Sequence, residues 1–307
     1  MTIVFKVSDN VKNKMIKYYE NTKNETNPPY TIFQVKDFDC VTTLYSSGKV
    51  MFQGIGADIE ASIWKEQERI LNNRIIDTDD KKETKKDDNF FFNINTIGSD
   101  EVGTGDYFGP IIVTAAYVAK SDFNFLNELG VKDSKKITDE KIIEIAPEII
   151  KTIPHTTIIL DNKTYNKNYS SDINMNKVKA ILHNKVLLNL IKKDNYDYQK
   201  IVVDQFVYKN KYYSHLSDVP EKVTNITFTT KAEDKCLSVA VASIISRYIF
   251  LKEMKKISSK FKMEIPKGAG TIVDETAKKL VSEYGAIILE EIAKVNFKNT
   301  ERIKELL

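Results

Sequence analysis

The run GSDEVGTGDYFGPIIVTAAYV, residues 98–118, places two adjacent carboxylates, Asp100 and Glu101, between an apolar strand and a glycine-rich turn. The preceding stretch, 91–97, reads as a strand that ends in Gly-Ser-Asp-Glu, and 110–119 reads as a second, strongly apolar strand. Helical periodicity follows over 137–153, interrupted by Pro147, and more clearly over 176–193. IVVDQF (201–206) and NITFTT (225–230) are two further strands, and two more helices cover 232–256 and 274–294. Strands alternating with helices predict a layered α/β domain.

Asp204 stands after three consecutive β-branched residues, Ile201, Val202 and Val203, in what reads as a central strand. An ionised carboxylate in such a place is costly unless cations or a metal offset it. Residues 97–101 repeat the device, and a third acidic pair, Glu233-Asp234, opens the segment KAEDKCLSVAVASII. Carboxylates from three separated elements, with no His/Cys set near them in sequence, suit a hard, oxygen-liganded ion such as Mg²⁺ or Mn²⁺. Each acid alone has a plainer reading as a turn residue, a strand-end solvent contact or a helix cap. Directly after the first pair, Gly103-Thr104-Gly105 leaves backbone amides free to approach phosphate or sugar oxygens. Periodicity does not choose between Glu233 and Asp234. At about 100° per residue they flank the apolar stripe Leu237, Ala240, Val241, Ile244, Ile245 and Tyr248 at about 50° on either side.

The clearest break in the chain is TDDKKETKKDDN (78–89), which has no apolar residue and reads as a charged linker. We therefore expect a small unit over 1–75, a linker over 76–90 and a larger domain over 91–307, with net charges of +1, −2 and +4. The small unit reads as a short helix over 11–19, strands at TIFQVKDF, DCVTTLYSS and KVMFQGIG, and a long covering helix over 57–75. Its tyrosines and Trp64 either pack a core or form a binding sheet.

With 307 residues, 46 basic and 43 acidic, the chain has a net charge of only +3, so any nucleic-acid surface must be a local patch. Two cysteines and three histidines exclude a disulfide framework and leave little for a zinc site. No apolar run approaches the roughly 18 residues of a membrane span. The polar start, MTIVFKVSDNVKNK, is unlike a secretory signal. A cytoplasmic chain with no membrane partner and no obligate protein partner is expected.

Residues 98–118 resemble the first motif of the bacterial ribonuclease HIII family, within the type 2 ribonuclease H group. GVKDSKKI (130–137), NMNKVKAILHN (174–184), IVVDQF, KAEDKCLSVAVASIISR (231–247) and PKGAG (266–270) with the VD that follows resemble later family motifs in the same order. SGKVMFQGIGA (47–57) resembles the TATA-binding-protein-like domain that the family carries at its N-terminus. The resemblance implies an RNase H-like mixed sheet flanked by helices, α/β there and α+β overall, preceded by a small sheet-plus-helix domain that holds substrate. It implies an endonuclease that cleaves the RNA strand of RNA–DNA hybrids with two Mg²⁺ or Mn²⁺ ions, leaving 3′-hydroxyl and 5′-phosphate ends.

By the same resemblance, Asp100, Glu101, Asp204 and Glu233 are the catalytic and metal-binding carboxylates. Gly103, Thr104 and Gly105 read the ribose 2′-hydroxyl, and Ser134, Lys135 and Asn176 contact substrate. Asp234 departs from the pattern, standing where a small or neutral residue is expected. Incision at single ribonucleotides, as in ribonuclease HII, and non-catalytic hybrid binding are the alternatives. Among the remaining residues, His183 reads as a packed or capping side chain and Cys236 as a buried small hydrophobe. Tyr212-Tyr213 reads as a base-stacking pair or a solvated loop.

Overall fold

The computed structural model describes residues 2–20, 28–36, 40–54, 56–74, 76, 91, 94–131, 137–170 and 172–305. It divides into two units, Met1–Lys85 and Lys86–Leu307. In the first, β1 (Thr2–Lys6), α1 (Asp9–Tyr18), β2 (Thr31–Lys36), β3 (Cys40–Tyr45), β4 (Lys49–Gly54) and α2 (Ala57–Asn72) follow in order. The strands form an antiparallel sheet in the order β1-β4-β3-β2. Its core joins Phe33, Leu44, Val50 and Phe52 to Val11 and Met15 of α1 and to Ala57, Ala61 and Trp64 of α2. Trp64 is 2% exposed and its indole N–H donates to Tyr19 Oη at 3.2 Å, so it is a core residue. Strand β1, unanticipated from the sequence, pairs with β4 from Thr2↔Gln53 to Lys6↔Lys49.

The second unit begins with β5 (Thr96–Val102), β6 (Ile111–Val118), α3 (Phe123–Glu128), α4 (Asp139–Thr152), β7 (His155–Leu160) and α5 (Asn162–Asn168). It continues with α6 (Met175–Lys193), β8 (Lys200–Asp204), α7 (Lys209–His215), β9 (Ile226–Thr229) and α8 (Leu237–Phe261). Helices α9 (Thr271–Tyr284), α10 (Ile288–Ile292) and α11 (Lys298–Glu305) close it. The sheet order is β7-β6-β5-β8-β9, antiparallel across β7, β6 and β5 and parallel from β5 to β8 and β9. This is the mixed, helix-flanked sheet expected. Helix α8 covers one face, backed by α4, and α6 covers the other. Gly98 lies tight against α8, where an added Cβ would lie 2.5 Å from Val239 N and Ser238 Oγ. Only glycine lets the strand and helix backbones approach this far. No helix among the described residues is long and apolar enough to cross a membrane.

Several boundaries differ from expectation. Strand β5 starts later and runs through the acids, because Asp100 and Glu101 pair with Thr114 and Val113 of β6. Pro147 lies within an unbroken α4; the Ile143 carbonyl that loses its N–H partner belongs to an exposed residue, where water can serve. The helix expected over 274–294 is two, α9 and α10, separated around Gly285.

Candidate active site

Strands β5 and β8 run parallel in register from Thr96↔Lys200 to Ser99↔Val203. The next position on each strand is an aspartate, Asp100 and Asp204. Side chains alternate between faces, so these two share the α8 face with Gly98 and Val202. Val202 packs there with Ala232, Cys236 and Val239. Ile97, Ile201 and Val203 join the α6-side core, and Ser99 and Glu101 share their face. Two neighbouring acids thus emerge on opposite sides of one strand.

Asp100 is held by a hydrogen bond with the Ser243 side chain, and Ser246 Oγ donates to its backbone carbonyl at 3.3 Å. Burial, then the Glu101 charge and to a lesser degree Asp204, hold its carboxyl well above the ordinary range; Ser243 works against them. Asp204 is raised as well, first by burial and then by Glu233 and Glu101. Its Oδ1 accepts the Ala232 N–H at 2.9 Å, which lowers it in part.

Glu101 has the opposite environment. His183, 0% exposed, donates from Nε2 to Glu101 Oε2 at 2.8 Å and has Nδ1 2.7 Å from Ser99 Oγ. Lys179 pairs with the other oxygen. Phe206 backs both partners, stacked on the imidazole at 5.4 Å between ring centroids and lying 4.1 Å beneath Lys179 Nζ. Burial alone would raise the Glu101 carboxyl, but His183 and Lys179 outweigh it and bring it down to about 2. His183 is packed, as the sequence predicts, and its contact with Glu101 comes in addition. The sequence signal of that contact is the i, i+4 spacing of Lys179 and His183, which puts a cation and an imidazole on one face of α6.

Glu233 does not sit on α8, contrary to expectation. Residues Ala232–Asp234 form a 3-10 turn, entered through Lys231 in the left-handed region (φ 54°), and Cys236 is extended before α8 starts at Leu237. Asp204, by accepting the Ala232 N–H, caps this turn. The helical-wheel argument for 233 and 234 therefore does not apply. Burial separates the two instead: Glu233 is half-buried and its charge acts on Asp204, whereas Asp234 is exposed.

Gly103–Gly105 follows β5 directly. Gly103 is buried at φ 90°, where a Cβ would lie 2.2 Å from the Pro110 carbonyl oxygen, while Thr104 is half-buried and Gly105 exposed. Asn176 is exposed in the first turn of α6, three residues before Lys179 and on the same face. Ser134 and Lys135 lie outside the described residues. Tyr212 is buried in the core, and the Tyr213 hydroxyl donates to the Thr224 carbonyl at 2.7 Å. Neither tyrosine is an open stacking platform. Cys236 is buried, as expected.

The donor chemistry fits a divalent cation. Asp100, Asp204 and Glu233 supply only carboxylate oxygens, and the raised Asp100 and Asp204 carboxyls mark buried acids whose ionisation the protein offsets only in part. Glu101 is engaged by His183 and Lys179, and among the described residues no three such donors converge as a ready-made cage.

The Ribonuclease HII family profile matches residues 97–300, and a profile described as a domain of unknown function, DUF3378, matches residues 2–74. Ribonuclease HIII of Bacillus velezensis is 42% identical, over 99% of this chain and 97% of its own. Ribonuclease HIII of Bacillus subtilis is 41% identical with the same coverage. The crystal structure of Bst-RNase HIII in complex with Mn²⁺ superposes with a TM-score of 0.70 at 38% identity, covering 100% of this chain and 99% of that one. Similar over nearly its whole length to these relatives, the chain belongs to the ribonuclease HIII family.

Proposed function

We propose that this protein is a cytoplasmic endoribonuclease that hydrolyses the RNA strand of RNA–DNA hybrids, leaving 3′-hydroxyl and 5′-phosphate ends. The observation that carries the reading is the pair of in-register aspartates, Asp100 and Asp204, with Asp204 capping the turn that bears Glu233. A relative of this family has been crystallised with Mn²⁺, and Asp100, Asp204, Glu233 and Glu101 are the residues that would hold Mg²⁺ or Mn²⁺ here. When bound, such ions supply a nucleophilic water near neutral pH and stabilise charge developing on the leaving 3′-oxygen.

The chain's own residues orient the substrate around that charge. Gly103-Thr104-Gly105 offers backbone amides to the ribose 2′-hydroxyl, the group that distinguishes RNA from DNA. Asn176 contacts the strand from the α6 side, and Ser134 and Lys135 add substrate contacts. Residues 1–75 bind the hybrid and raise affinity, with 76–90 as the linker. The deciding assay compares labelled RNA–DNA hybrid, duplex RNA and a duplex with a single ribonucleotide, each with Mg²⁺ or Mn²⁺. Selective cleavage of the hybrid's RNA strand is expected. Preferential incision at the single ribonucleotide would move the assignment to a ribonuclease HII-like activity, and binding without cleavage would make the protein a hybrid-binding one.

A further inference from the structure

Lys294 is 0% exposed, a rare place for a lysine. Its Nζ lies 2.7 Å from the Asp106 carbonyl and 2.6 Å from the Gly109 carbonyl, and its backbone N–H donates to the Tyr107 carbonyl at 2.8 Å. Neighbouring residues extend the same contact. Gly109 N–H donates to Ile292 O at 2.9 Å, and Phe108 bridges Ala293 in antiparallel fashion. The segment after α10 thus runs as a brace along the returning limb of the β5–β6 connection. Asn166 of α5 grips the brace from its other side, donating to Ala293 O at 2.8 Å and accepting from Val295 N–H at 3.2 Å.

The other limb of the connection is tied to the first. Gly103 packs against the Pro110 carbonyl, and the Asp106 carboxylate accepts the Gly268 N–H at 2.6 Å. Gly103 and Asp106–Gly109 are thus fastened, and Thr104 and Gly105 form the tip between them. The proposed catalytic chemistry uses no lysine here, and the amine's partners at this depth are the two carbonyls of the 106–109 turn. Burial presses the amine down to about 7, with Asp106 acting the other way. A neutral amine still carries two N–H bonds, matching the two carbonyls, so the tie persists in either protonation state.

We propose that Lys294 is a positioning residue for substrate selection: it ties the two ends of the 106–109 turn together and so holds the Gly103–Gly105 tip in the shape that reads the ribose 2′-hydroxyl. The inference rests on the role proposed for that tip. Its consequence is that selectivity for RNA is set in part from the C-terminal end of the chain, by a residue that never touches substrate.

The test uses the full-length protein and a hybrid whose RNA strand carries one 2′-deoxynucleotide, walked through the sequence. The readout is how strongly cleavage beside the deoxynucleotide is suppressed relative to other positions in the same strand. This ratio does not move when overall activity or stability falls. Lys294→Met keeps length and apolar contacts but removes both hydrogen bonds. It should relax the suppression by about tenfold or more, since a misplacement on the order of 1 Å changes such selection by up to about a hundredfold. Gly105→Ala, whose Cβ meets nothing within 4 Å, should fold and also relax it. A folded Lys294→Met protein with wild-type suppression overturns the proposal, provided that Gly105→Ala relaxes it. If neither variant changes the ratio, the role of the tip falls and this inference with it. Should Lys294→Met fail to fold, Asn166→Ala decides: it loosens the same brace, and relaxed suppression supports the proposal while unchanged suppression overturns it.

Discussion

The two sides of strand β5 treat adjacent carboxylates in opposite ways. On the α8 side Asp100 faces another acid, Asp204, and is pushed well above its ordinary range by burial and by Glu101. On the α6 side Glu101 meets an imidazole and an ammonium and is brought down to about 2. One residue of separation changes the face, and the face changes the charge balance. The α6 side is already compensated by protein. On the α8 side the protein offsets the acids only in part, which is the condition for attracting a cation.

The sharpest way to break this comparison is to neutralise the α8 side. Asp204→Asn or Asp100→Asn should lower hybrid cleavage by at least about a thousandfold at saturating Mg²⁺, as loss of a central catalytic group does. In chelator, each variant should also melt higher than the unchanged protein, by roughly 2–4 °C, because a repulsion has been removed. The pH dependence follows from the raised Asp100 carboxyl. A group whose folded pKa exceeds its unfolded value carries no penalty at low pH and loses stability as pH rises through the folded pKa. The advantage of Asp100→Asn in Tm should therefore grow from pH 4 to pH 8. An advantage that shrinks over this range would show that Asp100 is stabilised as an anion.

Next in size is the contest between the two acids of the capped turn. Glu233→Gln should reduce turnover severely, while Asp234→Ser, at an exposed position, should cost little activity or stability. The opposite ranking in cleavage assays would move the site one residue along the turn.

Removing the Glu101 partners on the α6 side should act more gently. His183→Gln and Lys179→Met are expected to lower activity by roughly 10–100-fold, in the range for partners that orient a metal ligand, the role proposed for Glu101. Unlike the aspartate variants they should lower Tm, since each leaves a buried carboxylate short of a partner. An increase in Tm for either would erase the contrast between the faces. The smallest effect on maximal turnover is expected from deleting residues 1–85, which should instead weaken hybrid binding and flatten its salt dependence. Binding of equal strength and equal salt slope would give that unit another purpose.

Legibility from sequence followed how local the determining physics was. Asp204 was visible because an acid after Ile-Val-Val in a buried strand needs a reason, and the strand lies at 200–204. The Asp100-Glu101 pair was visible for the same cause. Which face each acid takes was not, because that depends on where β5 ends, and pairing with β6 carries the strand through both. His183 is packed, as its sequence predicts, but its partner, Glu101, lies about 80 residues away and is not legible locally. The turn bearing Glu233 has a locally helical pattern, which predicts helix there. A long-range bond from Asp204 to Ala232 N–H and the left-handed Lys231 prevail there. Strand β7, HTTIIL, has little alternation to mark it and is defined by its pairing with β6.

The parallel register of β5 and β8 also bears on how the chain comes to life. Strand β6 follows β5 after a short connection, so that hairpin can form early, but β8 comes about a hundred residues later and must close a long loop first. Until it does, β5 presents an open edge next to Gly98, of the kind that invites pairing with other chains. Asp100 has no partner aspartate during that interval, and Glu233 has no capped turn, because both depend on Asp204. A newly synthesised molecule therefore gains its hybrid-cutting capacity only once β8 has joined β5, and inactivity during folding is built into the order of the sheet.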